Sequence, residues 1–194
     1  MPHVIVIAGA NGAGKSTVAP FLLRDKLGIS EFVNADTLAQ GLSAFAPEKA
    51  AITAGKIMLS RLNELAGAGK DFAFETTLST RSFVPRLKKM RENGYKFKLF
   101  ILWLANSELA VLRVAERVRQ GGHDIPKETV TRRYEKGLHN FFKLYQPIAD
   151  SWYFYDNSNI ADLKLIAKGK SNTIEKVFNE KIWQDLMEKY GKEK

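Results

Sequence analysis

The sequence contains no cysteine, so it can form neither a disulfide nor a metal site built on thiolates. This fits a reducing compartment, and we expect a cytoplasmic protein. The sequence also lacks an apolar run long enough to cross a bilayer. Its start, MPHVIVIAG, has neither the basic region nor the small-residue cleavage site of a signal peptide. We therefore expect no membrane association and a first segment that is a strand.

Acidic residues are in the minority, with 21 Asp and Glu against 30 Lys and Arg, which gives a net charge of +9. Such a charge indicates an anionic partner, either a nucleic acid or a phosphorylated small molecule. The 3 histidines have no metal-ligand spacing, and we interpret His123 as a turn residue. The length of 194 residues suits one domain over residues 1–194.

A glycine-rich loop, GANGAGKST, follows the apolar run VIVIA near the start of the chain. It fits the pattern G-x-x-x-x-G-K-[ST], in which glycine backbone wraps phosphates, lysine reaches the β- and γ-phosphates, and serine ligates Mg²⁺. A strand before the loop and a helix after it make a chance match a poor explanation. We assign nucleotide binding to Gly9, Ala10, Asn11, Gly12, Ala13, Gly14, Lys15, Ser16 and Thr17, with Ser16 also on the metal.

Strand and helix patterns alternate along the chain, which predicts an α/β fold: a doubly wound, mostly parallel five-stranded sheet with helices on both faces. The predicted strands are residues 3–8, 31–34, 72–74, 97–104 and 152–155. Residues 163–168 are expected to add an edge strand, and residues 174–190 a last helix. The helices at 47–66 and 107–120 are expected to bury Ile52, Leu59, Leu62 and Leu65, and Leu109, Leu112, Ala115 and Val118, respectively.

Two carboxylates follow the second and third predicted strands, at the edge where such sheets bind ligands. Asp36 is our candidate for the base that accepts a proton from an attacking hydroxyl, and it also contacts the substrate. The alternative is that Asp36 only caps a helix. Glu75 either binds substrate or holds a water of the metal, and its alternative is a solvated acid. Thr77 is a further candidate for substrate binding.

Arginines flank the segment GGHDIP, which has the composition of a flexible joint, and we expect a helical lid around residues 113–133. Arginines on such a lid can neutralise the charge of the transferring phosphoryl group. A solvated basic helix face is the alternative. Arg113 belongs to this cluster, and the residues that we assign to catalysis, together with Asp36 and Lys15, are Arg117, Arg119, Arg132 and Arg133.

The dipeptide Asp156-Asn157 follows the fifth predicted strand. In kinases of this layout, adenine lies near that position, so we assign both residues to the nucleotide. Asp and Asn also favour turns without any ligand, and a plain turn is the alternative.

These motifs together resemble the zeta toxin family of P-loop kinases. The matching segments are GANGAGKST, NADTLAQGLSAFAPEKAAITAGKIML, FAFETTLSTRSF, RVAERVRQGGHDIPKETVTRRY and YFYDNS, within residues 4–158. The resemblance implies ATP and Mg²⁺ as cofactors, and phosphorylation of a sugar hydroxyl of UDP-N-acetylglucosamine. It implies Asp36 as the base, and Glu75 and Thr77 as substrate contacts. Arg117 and one of Arg132 and Arg133 match the lid arginines.

The sequence departs from the family pattern after Glu75. Family members have a glycine and then an arginine within a few residues, whereas here Thr76-Thr77-Leu78-Ser79-Thr80 precedes Arg81, the arginine that we assign to substrate binding. We therefore expect a different sugar pocket. An antitoxin blocks the site in the family. The extra segments of the longer toxins, where it partly docks, are not found around this core, so an antitoxin partner is left open.

Two other functions remain open from the sequence. A polynucleotide or nucleoside kinase would use the same phosphate loop, and the net positive charge supports it, although nucleic acid is not our favoured partner. A nucleotide-dependent switch without a second substrate is the other alternative. The sequence contains neither the N-K-x-D motif of GTPases nor the L-S-G-G-Q signature of ABC-type ATPases. A small-molecule kinase is therefore the main prediction.

Overall fold

The structure is a computed structural model, and it describes residues 1–122, 124–159 and 161–191. Its centre is a seven-stranded sheet in the order β2-β3-β1-β4-β5-β6-β7. The strands β1 to β5 pair in parallel, and β6 and β7 add to the edge in antiparallel register. The strands are β1 (His3–Ala8), β2 (Phe32–Val33), β3 (Phe72–Thr76), β4 (Lys96–Trp103), β5 (Ser151–Asp156), β6 (Lys164–Lys170) and β7 (Thr173–Val177).

Helices connect the parallel strands, as the alternating pattern predicts. They are α1 (Lys15–Pro20), α2 (Ala35–Leu42), α3 (Pro47–Gly67), α4 (Phe83–Glu92), α5 (Ser107–Arg119), α6 (Lys127–Asn140) and α7 (Glu180–Leu186). Three of them continue in π-helical turns: α1 through Phe21–Lys26, α6 through Phe141–Tyr145 and α7 through Met187–Gly191. Pro20 has no N–H for the α-helical ladder, and it stands where α1 changes to the wider turn.

The central strands are buried, which explains their continuous apolar runs. Residues 4–8 of β1 are all buried, and the aromatic residues Trp152 and Phe154 of β5 are fully buried as well. The carboxyl ends of the parallel strands meet at one edge, so the segments after β1, β2, β3 and β5 lie together there. Among the described residues, no helix combines the length and the apolar character that a membrane span requires.

The five predicted strands and the predicted edge strand are confirmed, but the sheet has a seventh strand and the last helix is shorter than predicted. Residues 173–177 form β7, because three of the five are β-branched and the segment pairs with β6 after a turn at Ser171. Asn179 then caps α7, since its side chain accepts a hydrogen bond from the backbone N–H of Ile182 at 3.1 Å. Phe178, predicted to lie on the buried face of a helix, is therefore 49% exposed.

Helix α3 buries Leu62 and Leu65 as predicted but not Ile52, and α5 buries a different stripe from the one we expected. In α3, Ile52 is 78% exposed, and the core contacts begin at Ala54 and continue through Met58. In α5, Leu112 is 65% exposed, and the buried residues are Ala110 and Val114. In α5 the residues that face the core are small or β-branched, so the larger Leu112 does not mark the inward face there.

Candidate active site

The phosphate loop joins β1 to α1 at the carboxyl edge of the sheet. Gly9, Gly12 and Gly14 have positive φ values of 148°, 79° and 80°, which residues with a side chain rarely adopt. A Cβ at Gly9 would collide with the carbonyl oxygen of Leu102, and a Cβ at Gly14 would lie 2.5 Å from Nδ2 of Asn157. Only glycine fits at these positions, and the tight backbone is of the kind that wraps an anion.

Polar side chains from α1, β3 and the end of β2 meet behind this loop. Lys15 Nζ donates to the carbonyl oxygen of Ala10 at 2.9 Å and lies 3.5 Å from Glu75 Oε1. Glu75 Oε2 accepts from Ser16 Oγ and from Asn34 Nδ2, each at 2.9 Å. The side chains of Lys15 and Glu75 are only 7% and 9% exposed, so each buried charge is stabilised by the opposite charge of the other. The hydroxyl and the carboxylate together are oxygen donors of the type that Mg²⁺ takes.

Asp36 lies in the first turn of α2, with an exposed side chain. The cap of this helix is Asn34, whose Oδ1 accepts from the backbone N–H groups of Asp36 at 2.8 Å and Thr37 at 3.4 Å. The alternative in which Asp36 is the cap is therefore wrong. A negative charge in the first turn also interacts favourably with the helix dipole.

Asp36 lies in the walls of three cavities, and two of these also reach Asn11 and Lys15 of the phosphate loop. The first, which we call the phosphate-loop cavity, measures about 390 Å³ and is also lined by Lys15, Ser16, Glu75 and Arg117. The second, which we call the hydroxyl-rich cavity, measures about 490 Å³. Its side chains include Lys15, Asp36, Lys56, Glu75, Thr76, Thr77, Ser79, Thr80, Ser82 and Arg133. Asp36 thus stands between a space beside the phosphate loop and a space lined by hydroxyl groups.

The arginines around the predicted lid have different surroundings. Arg117 lines the phosphate-loop cavity, and Arg133 Nη1 donates to Asn11 Oδ1 in the phosphate loop at 3.2 Å. Arg119 and Arg132 are exposed, and neither is part of the two cavity walls. The structure therefore brings Arg117 and Arg133 to the site. His123, predicted as a turn residue of the lid, lies outside the described residues.

Arg113 fastens α5 to the segment after β5. Its Nη1 and Nη2 atoms donate to the carbonyl oxygens of Asn157 and Ser158, both at 2.8 Å, and burial lowers its pKa from the ordinary value. Asn157 is buried, and its Nδ2 donates to the carbonyl oxygen of Ala13 at 2.8 Å. Asp156 Oδ1 accepts from the N–H of Ser158, which closes a turn. The Asp156-Asn157 pair thus forms a turn, and Asn157 in addition touches the phosphate loop.

The segment after Glu75 has a strained backbone. Leu78 has a positive φ of 56°, and its side chain is buried. Thr77 Oγ1 and Ser79 Oγ share a hydrogen bond of 2.8 Å beside the hydroxyl-rich cavity. Arg81, assigned to substrate from the sequence, is exposed and lies outside the walls of both cavities. Hydroxyl groups, and not this arginine, therefore line the space next to Glu75.

Helix α6 and its π-helical extension hold this strained segment in place. Asn140 Nδ2 donates to the carbonyl oxygen of Leu78 at 2.7 Å, and the Tyr145 hydroxyl donates to that of Thr80 at 2.6 Å. Burial raises the pKa of Tyr145 to about 12, so it stays a donor at neutral pH. Gly137 lets the helix approach, because a Cβ there would lie 2.5 Å from the carbonyl oxygen of Thr77.

We expect Gly137→Ala to lower the free energy of unfolding by about 1–3 kcal/mol, because the added methyl group must push α6 away from backbone that cannot yield. Chemical denaturation followed by circular dichroism measures this change. Gly55→Ala is the matched control: it is also a mid-helix glycine, but nothing lies within 4 Å of its added Cβ. That variant is expected to be more stable by about 0.5–1 kcal/mol. Equal effects of the two substitutions would contradict the tight contact.

Comparison with known proteins identifies the family. The zeta toxin family profile matches residues 1–164. The chain belongs to the zeta toxin family. An uncharacterised protein of Haemophilus influenzae is 30% identical over 130 residues, which is 67% of this chain and 91% of that protein.

Solved structures show the same fold. A structure from work on the PezAT chromosomal toxin-antitoxin system of Streptococcus pneumoniae superposes with a TM-score of 0.69 at 19% identity, over all of this chain and 80% of that one. The AvrRxo1-ORF1:ORF2 complex with ATP superposes with a TM-score of 0.74 at 17% identity. That match covers 96% of this chain and 63% of the other. Family and fold make the zeta toxin homologue described here a kinase-like phosphotransferase with a P-loop.

Two residues of this zeta toxin site were not predicted from the sequence. Asn34 binds Glu75 and caps α2 with different atoms of one side chain. A signal was present, since asparagine directly before a predicted helix is a common cap. Asn140 supports the segment after Glu75 from a helix some sixty residues away, and a buried polar residue in a helix gives no local sign of such a partner.

Proposed function

We propose that this protein transfers the γ-phosphoryl group of ATP to a hydroxyl group of a small acceptor, and that the acceptor is a nucleotide-activated sugar such as UDP-N-acetylglucosamine. The observation that carries the proposal is the place of Asp36 in the wall shared by the phosphate-loop cavity and the hydroxyl-rich cavity. A carboxylate at such a border can accept the proton of an acceptor hydroxyl while that hydroxyl attacks a phosphate on the other side.

The nucleotide would bind along the phosphate loop. Lys15 would exchange its contacts with Ala10 and Glu75 for the β- and γ-phosphates, and Asn157 would border the nucleoside. Ser16 and Glu75 offer the oxygen donors for Mg²⁺, directly or through water. When bound, Mg²⁺ neutralises part of the phosphate charge and orients the terminal phosphate.

The acceptor would occupy the hydroxyl-rich cavity. Thr77 and Ser79, together with the neighbouring hydroxyl residues, can donate to and accept from the hydroxyl groups of a sugar ring. Lys56 and Arg133 supply positive charge in the same wall, which suits an acceptor that carries phosphate groups. Arg117 and Arg133 approach the phosphates from the two helices of the proposed lid, where they would balance the charge of the transferring group.

A protein partner is a further part of the proposal. The similarity to a structure from a toxin-antitoxin system favours an antitoxin-like protein that covers this site. Such a partner would block ATP turnover on binding. The protein purified together with it should therefore form less ADP than the protein alone.

The decisive experiment offers ATP and Mg²⁺ together with one candidate acceptor at a time: UDP-N-acetylglucosamine, free N-acetylglucosamine, and a 5′-hydroxyl oligonucleotide. We expect the nucleotide sugar to gain the mass of one phosphate in mass spectrometry. Phosphorylation of the oligonucleotide alone would instead establish the polynucleotide kinase. ADP formation that no acceptor changes would favour a nucleotide-dependent switch, and both results would contradict the proposed acceptor.

A further inference from the structure

The last described residues form a helical segment that packs along α6 and lies beyond the part of the chain matched by the family. We call residues 180–191 the C-terminal segment. Its Trp183 is buried and stacks on Trp152 of β5, with ring centroids 5.4 Å apart and an angle of 11° between the planes. Trp183 also contacts Phe142 in the extension of α6, at 5.5 Å between centroids. The segment is therefore anchored to the sheet and to α6 together.

Polar contacts join the end of this segment to the flank of α6. The Tyr190 hydroxyl donates to Glu135 Oε2 at 2.9 Å, and Lys189 Nζ lies 3.2 Å from Glu135 Oε1. Lys143 Nζ in the helix extension donates to the carbonyl oxygen of Gly191 at 2.9 Å. Tyr190 is buried, so loss of its partner would leave a desolvated hydroxyl group. The contact between Tyr190 and Glu135 is thus more than a surface ion pair.

Glu135, which the Tyr190 hydroxyl contacts, lies two positions from Arg133 on α6. An α-helix turns by about 100° per residue, so Glu135 and Arg133 project from nearly opposite flanks of α6. Tyr134 lies between them and faces the core, where its hydroxyl donates to the carbonyl oxygen of Leu104 at 2.8 Å and accepts from Trp103 Nε1. A roll of α6 that moved Arg133 from Asn11 would have to break the contacts of Glu135 and Tyr134.

We infer that the C-terminal segment is a brace that sets the rotation of α6 and so aims Arg133 at the phosphate loop. Tyr190 and Glu135 are then positioning residues for the phosphoryl transfer, although they lie on the flank of α6 that faces away from the nucleotide. This inference rests on the proposed role of Arg133 at the γ-phosphate.

The competing explanation is that the segment only stabilises the fold. Equilibrium binding separates the two, because Arg133 should contribute to ATP, which has a γ-phosphate, and not to ADP. We therefore take the ratio of the dissociation constants of ADP and of a non-hydrolysable ATP analogue, measured by calorimetry with Mg²⁺, as the readout. Arg133→Ala is expected to lower this ratio by about tenfold or more, the size of one charge-assisted hydrogen bond.

Tyr190→Phe is expected to lower the same ratio by about threefold to tenfold without changing ADP binding, because small displacements of an aligned group weaken its interaction strongly. Glu135→Gln keeps an acceptor for the Tyr190 hydroxyl, so this single variant should keep the wild-type ratio. Tyr95→Phe is the matched control outside the segment: it removes a buried tyrosine hydroxyl that donates to the carbonyl oxygen of Lys70 at 2.9 Å, so it loses stability, but its ratio should stay that of the wild type.

Each result decides between the explanations. An unchanged ratio in Tyr190→Phe, beside a lowered ratio in Arg133→Ala, overturns the brace and leaves the proposed function intact. A ratio that falls in Tyr95→Phe as it does in Tyr190→Phe, in step with melting temperature, shows a purely structural role and overturns the brace as well. An Arg133→Ala variant with the wild-type ratio overturns the role of Arg133 at the γ-phosphate, and the brace with it.

Discussion

Lys15→Ala is expected to weaken ATP binding by about 10²–10³-fold, because a buried cation that faces phosphate contributes several kcal/mol of binding free energy. The same change should lower the stability of the unliganded protein by about 1–3 kcal/mol, since it leaves the carboxylate of Glu75 buried with only the hydrogen bonds from Ser16 and Asn34. Calorimetry with an ATP analogue measures the first effect, and thermal unfolding without nucleotide measures the second.

A second substitution separates these two effects. Adding Glu75→Gln to Lys15→Ala removes the unpaired charge, so the double variant should regain stability while ATP binding stays weak. Lys49→Ala, which removes an exposed lysine from α3, serves as the control for net charge and should leave both quantities unchanged. If Lys15→Ala bound ATP as tightly as the wild type, the phosphate loop would not be the nucleotide site.

The sequence was sufficient for the parallel strands because they are short apolar runs bounded by turn residues, and β1 to β4 are each followed by a helix. Such runs define the parallel core with little help from distant contacts, and β1 to β5 lie close to the predicted ranges. The C-terminal region was harder. The spacing of Phe178, Ile182 and Leu186 fits a helix, but pairing with β6 outweighed that pattern for residues 173–177 and produced a strand.

The residues of the site that lie at the strand ends were predictable from the sequence. Glu75 lies at the carboxyl end of β3 and Asp36 shortly after β2, so the order of the strands was enough to place them beside the phosphate loop. The arginines could not be sorted in the same way, because Arg132 and Arg133 are neighbours in sequence and differ only in the rotation of α6. That rotation depends on Tyr134 and Glu135, whose partners lie at distant positions in the chain.

The acceptor side of the site depends on α6 in the same way, through Asn140, Tyr145 and Gly137. All three hold the segment after Glu75, and all belong to α6 or its extension. One helix therefore carries Arg133 toward the phosphate loop and supports the wall of the hydroxyl-rich cavity. Under the proposed function, a disturbance of α6 should affect both the nucleotide and the acceptor.

Asp36→Asn is expected to lower the rate of phosphoryl transfer by about 10²–10⁴-fold, which is the usual contribution of a positioned general base. ATP binding should change by no more than about threefold, since the amide keeps the shape of the side chain and the phosphate loop is untouched. Radioactive phosphate transfer from ATP to the acceptor found in the panel measures the rate, and calorimetry measures the binding.

The control has to account for the position of Asp36 in the first turn of α2, where loss of charge also weakens the helix by about 0.3–1 kcal/mol. Glu108 occupies the first turn of α5 with an exposed side chain, so Glu108→Gln removes an equivalent helix charge away from the two cavities. That variant should lose similar stability and keep its rate. A full rate in Asp36→Asn would remove Asp36 from the role of base. If Glu108→Gln loses rate as well, the loss in Asp36→Asn comes from lower stability and not from a missing base. Only a group beside the acceptor hydroxyl can change the rate without a matching change in stability.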